Sequence, residues 1–207
     1  MRRAFRVIEA IGRSVVLVDE IEKALAGATQ GAADGGVSSD ALGALLSWMQ
    51  DRQGEAFILA TSNDVSQLPP ELMRKGRFDE IWFVDTPTAS ERVEVLKTAL
   101  TAHGRGELRV DFNKIAKACE SEGDAFTGAE IAALVPEALF TAFADGKREP
   151  NTADLVAAAS TVVPLTRTAK DKINALRLWA NGRARRASKS ESLSVATPRK
   201  TGRVVEV

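Results

Sequence analysis

Apolar residues recur at two periods along this chain, and the change between them divides it. As far as Pro87, helical spacing alternates with short unbroken apolar runs; beyond it only helical spacing is found. Phe5, Ile8 and Ile11 share one side of a helix expected over residues 2–12. Val15-Val16-Leu17-Val18 follows without a polar break, three of the four β-branched, and reads as a buried strand over 14–18. A short helix is expected from Glu20. The small, glycine-rich stretch Ala24 to Asp40 is expected to be a mobile surface loop. Leu42, Leu45, Leu46 and Met49 fall at i, i+3, i+4 and i+7, so a helix follows that Ser38 or Ser39 can cap. Trp48 lies off that stripe and suits a core or interface position. Ala56 to Thr61 is a second buried strand and Ile81 to Val84 a third. Helix and strand in alternation argue for an α/β fold.

After Pro87 the reading is all helix. Thr88-Ala89-Ser90-Glu91 and Thr127-Gly128-Ala129-Glu130 are capping boxes, each opening a helix. Ile131, Leu134, Val135 and Ala138 share one face of the second, where Pro136 predicts a kink. Another helix starts at Asn151 or Thr152, and a last one runs from Thr168 to Arg185. The expected domains are an α/β part over 1–87, a helical part over 88–165, a C-terminal helix over 166–186 and a flexible tail over 187–207.

Composition narrows the function classes. The chain has 207 residues, and its 28 basic and 28 acidic residues cancel, which is no charge signature for nucleic acid or membrane. Its single cysteine excludes an internal disulfide, and Cys119 falls on the apolar stripe Phe112, Ile115, Ala116, where packing explains it. The single histidine, His103, precedes Gly104 at a helix end, so a histidine triad or metal cluster is excluded. No apolar run reaches membrane-span length and the N-terminus lacks a signal-peptide layout. A soluble cytoplasmic protein is expected.

The chemistry gathers at strand ends. Asp19 and Glu20 follow the first strand at once, and in an open α/β sheet ligands bind at the C-terminal ends of strands. An acid pair there suits a magnesium ion and an attacking water, with Asp19 on the metal and Glu20 on the water. The bland alternative is two acids favoured by the start of the next helix, and the string alone leaves both open. Asn63 ends the second strand, where a side-chain amide can hold water or a phosphate, although Asn-Asp is also good turn chemistry. Arg74 and Arg77 flank a Lys-Gly bend, and guanidinium forks suit phosphate oxygens; a solvated basic turn is the alternative. Gly128 and Ala129 put small residues at a helix start, where backbone can approach a flat ring or simply form a cap. A glycine-rich loop ending in Gly-Lys-Ser/Thr does not occur in the chain.

In this order, the Walker B-like strand, ATSN, LPPELMRKGRFDE and FTGAE resemble the AAA+ ATPases, and within them the AAA clade. The likeness reaches Ser188. VLVDEIEK, GGVSSDALGALLSWMQD and VPLTRTAKDKINALRLWANGRARRAS are similar to a plastid and cyanobacterial-type hypothetical AAA ATPase family. The resemblance implies an incomplete P-loop NTPase parallel sheet followed by an α-helical lid. It implies ATP and Mg²⁺ as ligands, with Asp19 on the metal, Glu20 as catalytic acid and Asn63 as sensor 1. Arg74 and Arg77 would be fingers reaching into a neighbouring subunit, and Gly128 and Ala129 would lie beside the nucleotide.

The resemblance also implies a homo-oligomer, a hexameric ring, that remodels a protein substrate and presents the loop at residues 28–37 to its pore. The family's first strand, phosphate loop and second strand have no counterpart in the chain. The strand at Ile81–Val84 is therefore expected to lack a partner, and a complementary N-terminal half is the alternative partner. A non-catalytic module lending arginines to other subunits is a second reading. Nucleic-acid binding through Arg177, Arg183, Arg185, Arg186 and Lys189 is a third, less favoured than a solvated helix end and tail.

Overall fold

The computed structural model describes residues 2–29, 37–51, 55–74 and 76–188. Most of the expected pore loop, Lys75 and the tail beyond Ser188 lie outside them. The chain forms two compact units, residues 1–81 with 175–185, and 82–174 with 186–207.

The first unit opens with α1 (Arg2–Ile11), β1 (Ser14–Val18), α2 (Ile21–Thr29), α3 (Val37–Asp51) and β2 (Ala56–Ala60). Residues 24–29 are thus helical, where the small-residue composition suggested loop. β1 and β2 pair in parallel, Ser14 opposite Ala56 and Val18 opposite Ala60. Ile21, Leu25, Leu45, Trp48, Met49 and Leu72 form the core, with Phe5, Ile8, Val18 and Ile58 packed against it. Trp48 stacks on Phe5 with ring centroids 4.5 Å apart and donates its indole N–H to Glu9 at 3.0 Å, so it anchors α1 to α3.

The two strands are not buried on both faces as their unbroken apolar runs suggest. Among the described residues, Val15 (73% exposed), Leu17 (62%), Phe57 (64%) and Leu59 (50%) form an open apolar face. Alternate side chains point to opposite sides of a sheet, so the helices that cover Val16, Val18, Ile58 and Ala60 leave the other set uncovered.

Past β2, two 3₁₀ turns at Val65–Gln67 and Pro70–Met73 lead toward Ile81. The Ile81 carbonyl accepts from the Arg185 N–H at 2.8 Å, and in the second unit the Phe83 carbonyl accepts from the Ala187 N–H at 3.0 Å. The strand expected to stand alone, observed as β3 (Trp82–Phe83), therefore has a partner. The C-terminal segment supplies it, which no local pattern could indicate.

The second unit contains α4 (Ala89–Ala102), α5 (Phe112–Ala118), the short strands β4 (Glu120–Ser121) and β5 (Asp124–Ala125), α6 (Gly128–Ala144), α7 (Thr152–Thr161) and α8 (Leu165–Thr168). Both capping boxes form, at Thr88 with Glu91 and Thr127 with Glu130, and Asn151 with Asp154 adds a third. Glu122 and Gly123, both at positive φ, make the tight turn between β4 and β5. Leu96, Leu100, Ile115, Phe126, Ile131, Leu134 and Leu155 fill the core. α6 runs as one element through Pro136, where a kink was expected. The last helix expected over 168–185 is shorter: α9 spans Lys170–Ala180, and β6 (Arg185–Arg186) follows.

Candidate functional site

The parallel pair carries two strand tips to one place. Beyond the last paired residues the ladder continues, because the Thr61 N–H donates to Val18 O at 3.0 Å and the Ile21 N–H to Thr61 O at 2.9 Å. Between these bonds the chain turns through Asp19 and Glu20. Glu20 has φ +49°, a left-handed conformation that costs a non-glycine residue about 1–2 kcal/mol. Thr61 steadies the turn: its hydroxyl oxygen accepts the Glu20 N–H at 2.9 Å, and its O–H donates to Asp19 Oδ1.

Asn63 then reaches the acid pair. Its Nδ2–H donates to Glu20 Oε1 at 3.0 Å. The other oxygen, Oε2, accepts from Lys23 Nζ at 2.6 Å, and that hydrogen bond and the charge of Glu20 raise the Lys23 pKa above its usual value. Each carboxylate oxygen has two lone pairs, so Glu20 keeps acceptor capacity for a further donor such as water.

A residue that the sequence reading passed over completes the cluster. Glu22, in the first turn of α2, is 3% exposed, and its Oε1 accepts from the Asn63 backbone N–H at 3.1 Å. Its signal in the sequence was a third acid, on the buried side of the helix beside Ile21 and Leu25.

Asp19 is exposed at the strand tip and offers hard carboxylate oxygen. Among the described residues no three His, Cys, Asp or Glu side chains group as an all-protein metal cage. A lone exposed carboxylate can serve a cation that takes one or two carboxylates and fills its shell with phosphate oxygens and water.

The two arginines part company. Arg77 is half-buried and held within the chain, its Nη1 donating to Leu46 O at 3.0 Å and its Nη2 to Gln50 Oε1 at 2.9 Å. Arg74 is exposed and lines a cleft of about 400 Å³ with Met73, Phe78, Asp79 and Arg183. Gly128 and Ala129 belong to the second unit, at the start of α6, and a Cβ on Gly128 would meet nothing within 4 Å. Cys119 is fully buried and burial pushes its thiol up to about 11, so it is no thiolate nucleophile. His103 caps α4, with Nδ1 2.9 Å from Ala99 O. Of the basic residues near the C-terminus, Arg183 donates to Trp179 O and Arg185 pairs with Glu80 at 3.0 Å.

Residues 1–86 match the family described as ATPase family associated with various cellular activities (AAA). A relative named as an uncharacterized AAA domain-containing protein ycf46, from Pyropia yezoensis, is 36% identical over 191 residues. That match takes in 91% of this chain. The chain carries an AAA domain over residues 1–86. It spans 37% of that relative's length. The crystal structure of the FIGL-1 AAA domain has the same fold, with TM-score 0.67 at 20% identity over 88% of this chain and 62% of that one. The FIGL-1 domain in complex with ADP superposes with TM-score 0.64 at 18% identity, over 88% of this chain and 63% of that one. No helix among the described residues is long and apolar enough to cross a membrane.

Proposed function

We propose that this AAA chain carries the hydrolytic side of an ATP site in a ring-forming ATPase that remodels a protein substrate. Asp19 would hold Mg²⁺, Glu20 would orient and deprotonate the attacking water, and Asn63 would fix Glu20 and read the γ-phosphate. When bound, the magnesium ion would neutralise charge on the phosphate oxygens. The observation that carries the reading is the 3.0 Å bond from the Asn63 amide to the Glu20 carboxylate. It joins the two polar groups that a water-activating site needs, at a residue whose backbone is held in a costly conformation. Strain of that kind persists where surrounding structure fixes it, and it clusters at functional sites.

The phosphate loop would come from a segment outside this sequence, in the same protein or a complementary half. The open apolar face of β1 and β2 supports this, because a parallel sheet in an α/β core is covered on both faces. Gly128 and Ala129 would lie beside the nucleotide, and Arg74 would act on the neighbouring subunit's phosphates. The cytoplasm is the proposed location.

The test is Glu20→Gln in a protein that joins this chain to a phosphate loop. ATP binding should persist while hydrolysis slows by about 10²–10⁴, the range for a general base. Turnover at the parental rate overturns the assignment.

A second reading is a non-catalytic module that lends Arg74 to other subunits, favoured by the exposure of that side chain. Titration of the 207-residue chain with a fluorescent ATP analogue bears on both. No binding at micromolar concentration is expected of the chain alone, and saturable binding there would exclude the module.

A further inference from the structure

We propose that Glu22 is a positioning residue that aims Asn63 at Glu20; this rests on the hydrolytic reading above. Glu22 is 3% exposed, and charged side chains are almost never that buried unless paired. No cation is bonded to it among the described residues. Its Oε1 accepts the Asn63 N–H at 3.1 Å, while Oε2 is buried with no hydrogen-bond partner among the described residues. Each buried unsatisfied polar atom in a folded protein calls for a reason. The first turn of α2 favours an acid, but an exposed acid would serve the helix equally well.

The reason lies in what the bond holds. Asn63 is exposed, three residues past the end of β2, where the strand ladder no longer fixes it. It is gripped at two points: its backbone N–H by Glu22 and its side-chain amide on Glu20, at 3.1 and 3.0 Å. The two acids lie two residues apart on the turn that leaves β1. One rigid turn therefore sets both the acid and the amide that meets it. Without the backbone grip, the tip after β2 is free to move and the amide loses its aim. A misplacement of about 1 Å in such a constellation can cost on the order of 100-fold in rate.

Two variants separate this from a packing role. Glu22→Met keeps the volume and removes the acceptor; Glu22→Gln keeps an oxygen for the Asn63 N–H. The first measurement is amide hydrogen exchange by NMR in the 207-residue chain. Asn63 should be protected in the parent and in Glu22→Gln, and should exchange about 10–100-fold faster in Glu22→Met, the value of a charge-assisted hydrogen bond. The second is steady-state hydrolysis in a protein joining the chain to a phosphate loop. Glu22→Met should lower kcat by about 10-fold or more with KM unchanged, and Glu22→Gln should restore most of it.

Unchanged Asn63 exchange in Glu22→Met overturns the proposal. So does lost protection with unchanged kcat, provided that Glu20→Gln is slow in the same assay. If Glu20→Gln runs at the parental rate, the hydrolytic reading has failed instead, and the exchange data still judge the grip. If Glu22→Met does not fold, the parent decides: Asn63 exchanging as a free amide overturns the proposal, and protection retained in Glu22→Gln supports it.

Discussion

The side-chain amide of Asn63 meets the carboxylate of Glu20 at 3.0 Å although 43 residues separate them in sequence. The parallel register of β1 and β2 makes the meeting possible, since Val18 pairs with Ala60 and each tip lies just beyond. Removing the amide should therefore act on the acid. In a protein that joins this chain to a phosphate loop, Asn63→Ala should lower kcat by about 10–100-fold, the value of one hydrogen bond to a charged group, with ATP binding little changed. Steady-state kinetics beside equilibrium nucleotide binding measures both. A drop in affinity with kcat intact would mean that Asn63 serves binding and not the acid.

Glu20 sits at φ +49°, which reverses the usual ranking of small replacements. In a helix, glycine is less stable than alanine by about 1 kcal/mol. At a left-handed position alanine keeps the Cβ clash and glycine does not. Glu20→Gly should thus be more stable than Glu20→Ala by about 0.5–1 kcal/mol, with both inactive. Urea denaturation of the two variants checks the order, and alanine coming out ahead would refute the strained turn.

Arg74 and Arg77 should separate in their effects. Arg77 forks onto Leu46 O and Gln50 Oε1, so Arg77→Lys should lose one of the two bonds and about 0.5–1.5 kcal/mol of stability. Arg74→Ala should change stability by less than about 0.5 kcal/mol, because its side chain is exposed. If it is a finger, hydrolysis should fall by about 10³–10⁵. In the proposed ring, mixing Arg74→Ala and Glu20→Gln subunits should restore activity that neither parent has. Confirmed mixed rings that stay inactive would remove Arg74 from that role.

In the second unit, Arg148 holds the buried Asp154 through Nη1 and Nη2 at 2.5 and 2.8 Å, and lowers its pKa below the usual carboxylate value. A folded-state pKa below the unfolded one adds stability that is complete above the unfolded value, about pH 3.9. It fades as pH falls through the folded value. Asp154→Asn should cost about 1.5–3 kcal/mol at pH 7 and progressively less as the pH falls through the folded value. Chemical denaturation across that pH range gives the comparison; an equal cost throughout would show that shape, not charge, makes the contact.

The local signals were legible because they are carried by short spacings. The capping boxes at Thr88 and Thr127, the stripe from Leu42 to Met49 and the strand limits at 14–18 each depend on a few neighbours, and each stands in the structure. So does the position of Asp19 and Glu20, since a strand must end where its apolar run gives way to acids. The tertiary structure decided the rest. It gave the strand at Trp82–Phe83 a partner from the far end of the chain, through bonds at Ile81 and Phe83 that no window of sequence contains. It left Val15, Leu17, Phe57 and Leu59 open, because burial depends on what packs over a face and not on the residues in it. It set Arg77 onto α3 while Arg74 stayed exposed, although the sequence offered them as a pair. Glu22 was decided in the same way: its role rests on a hydrogen bond to Asn63, 41 residues away, and only the fold brings that N–H within reach.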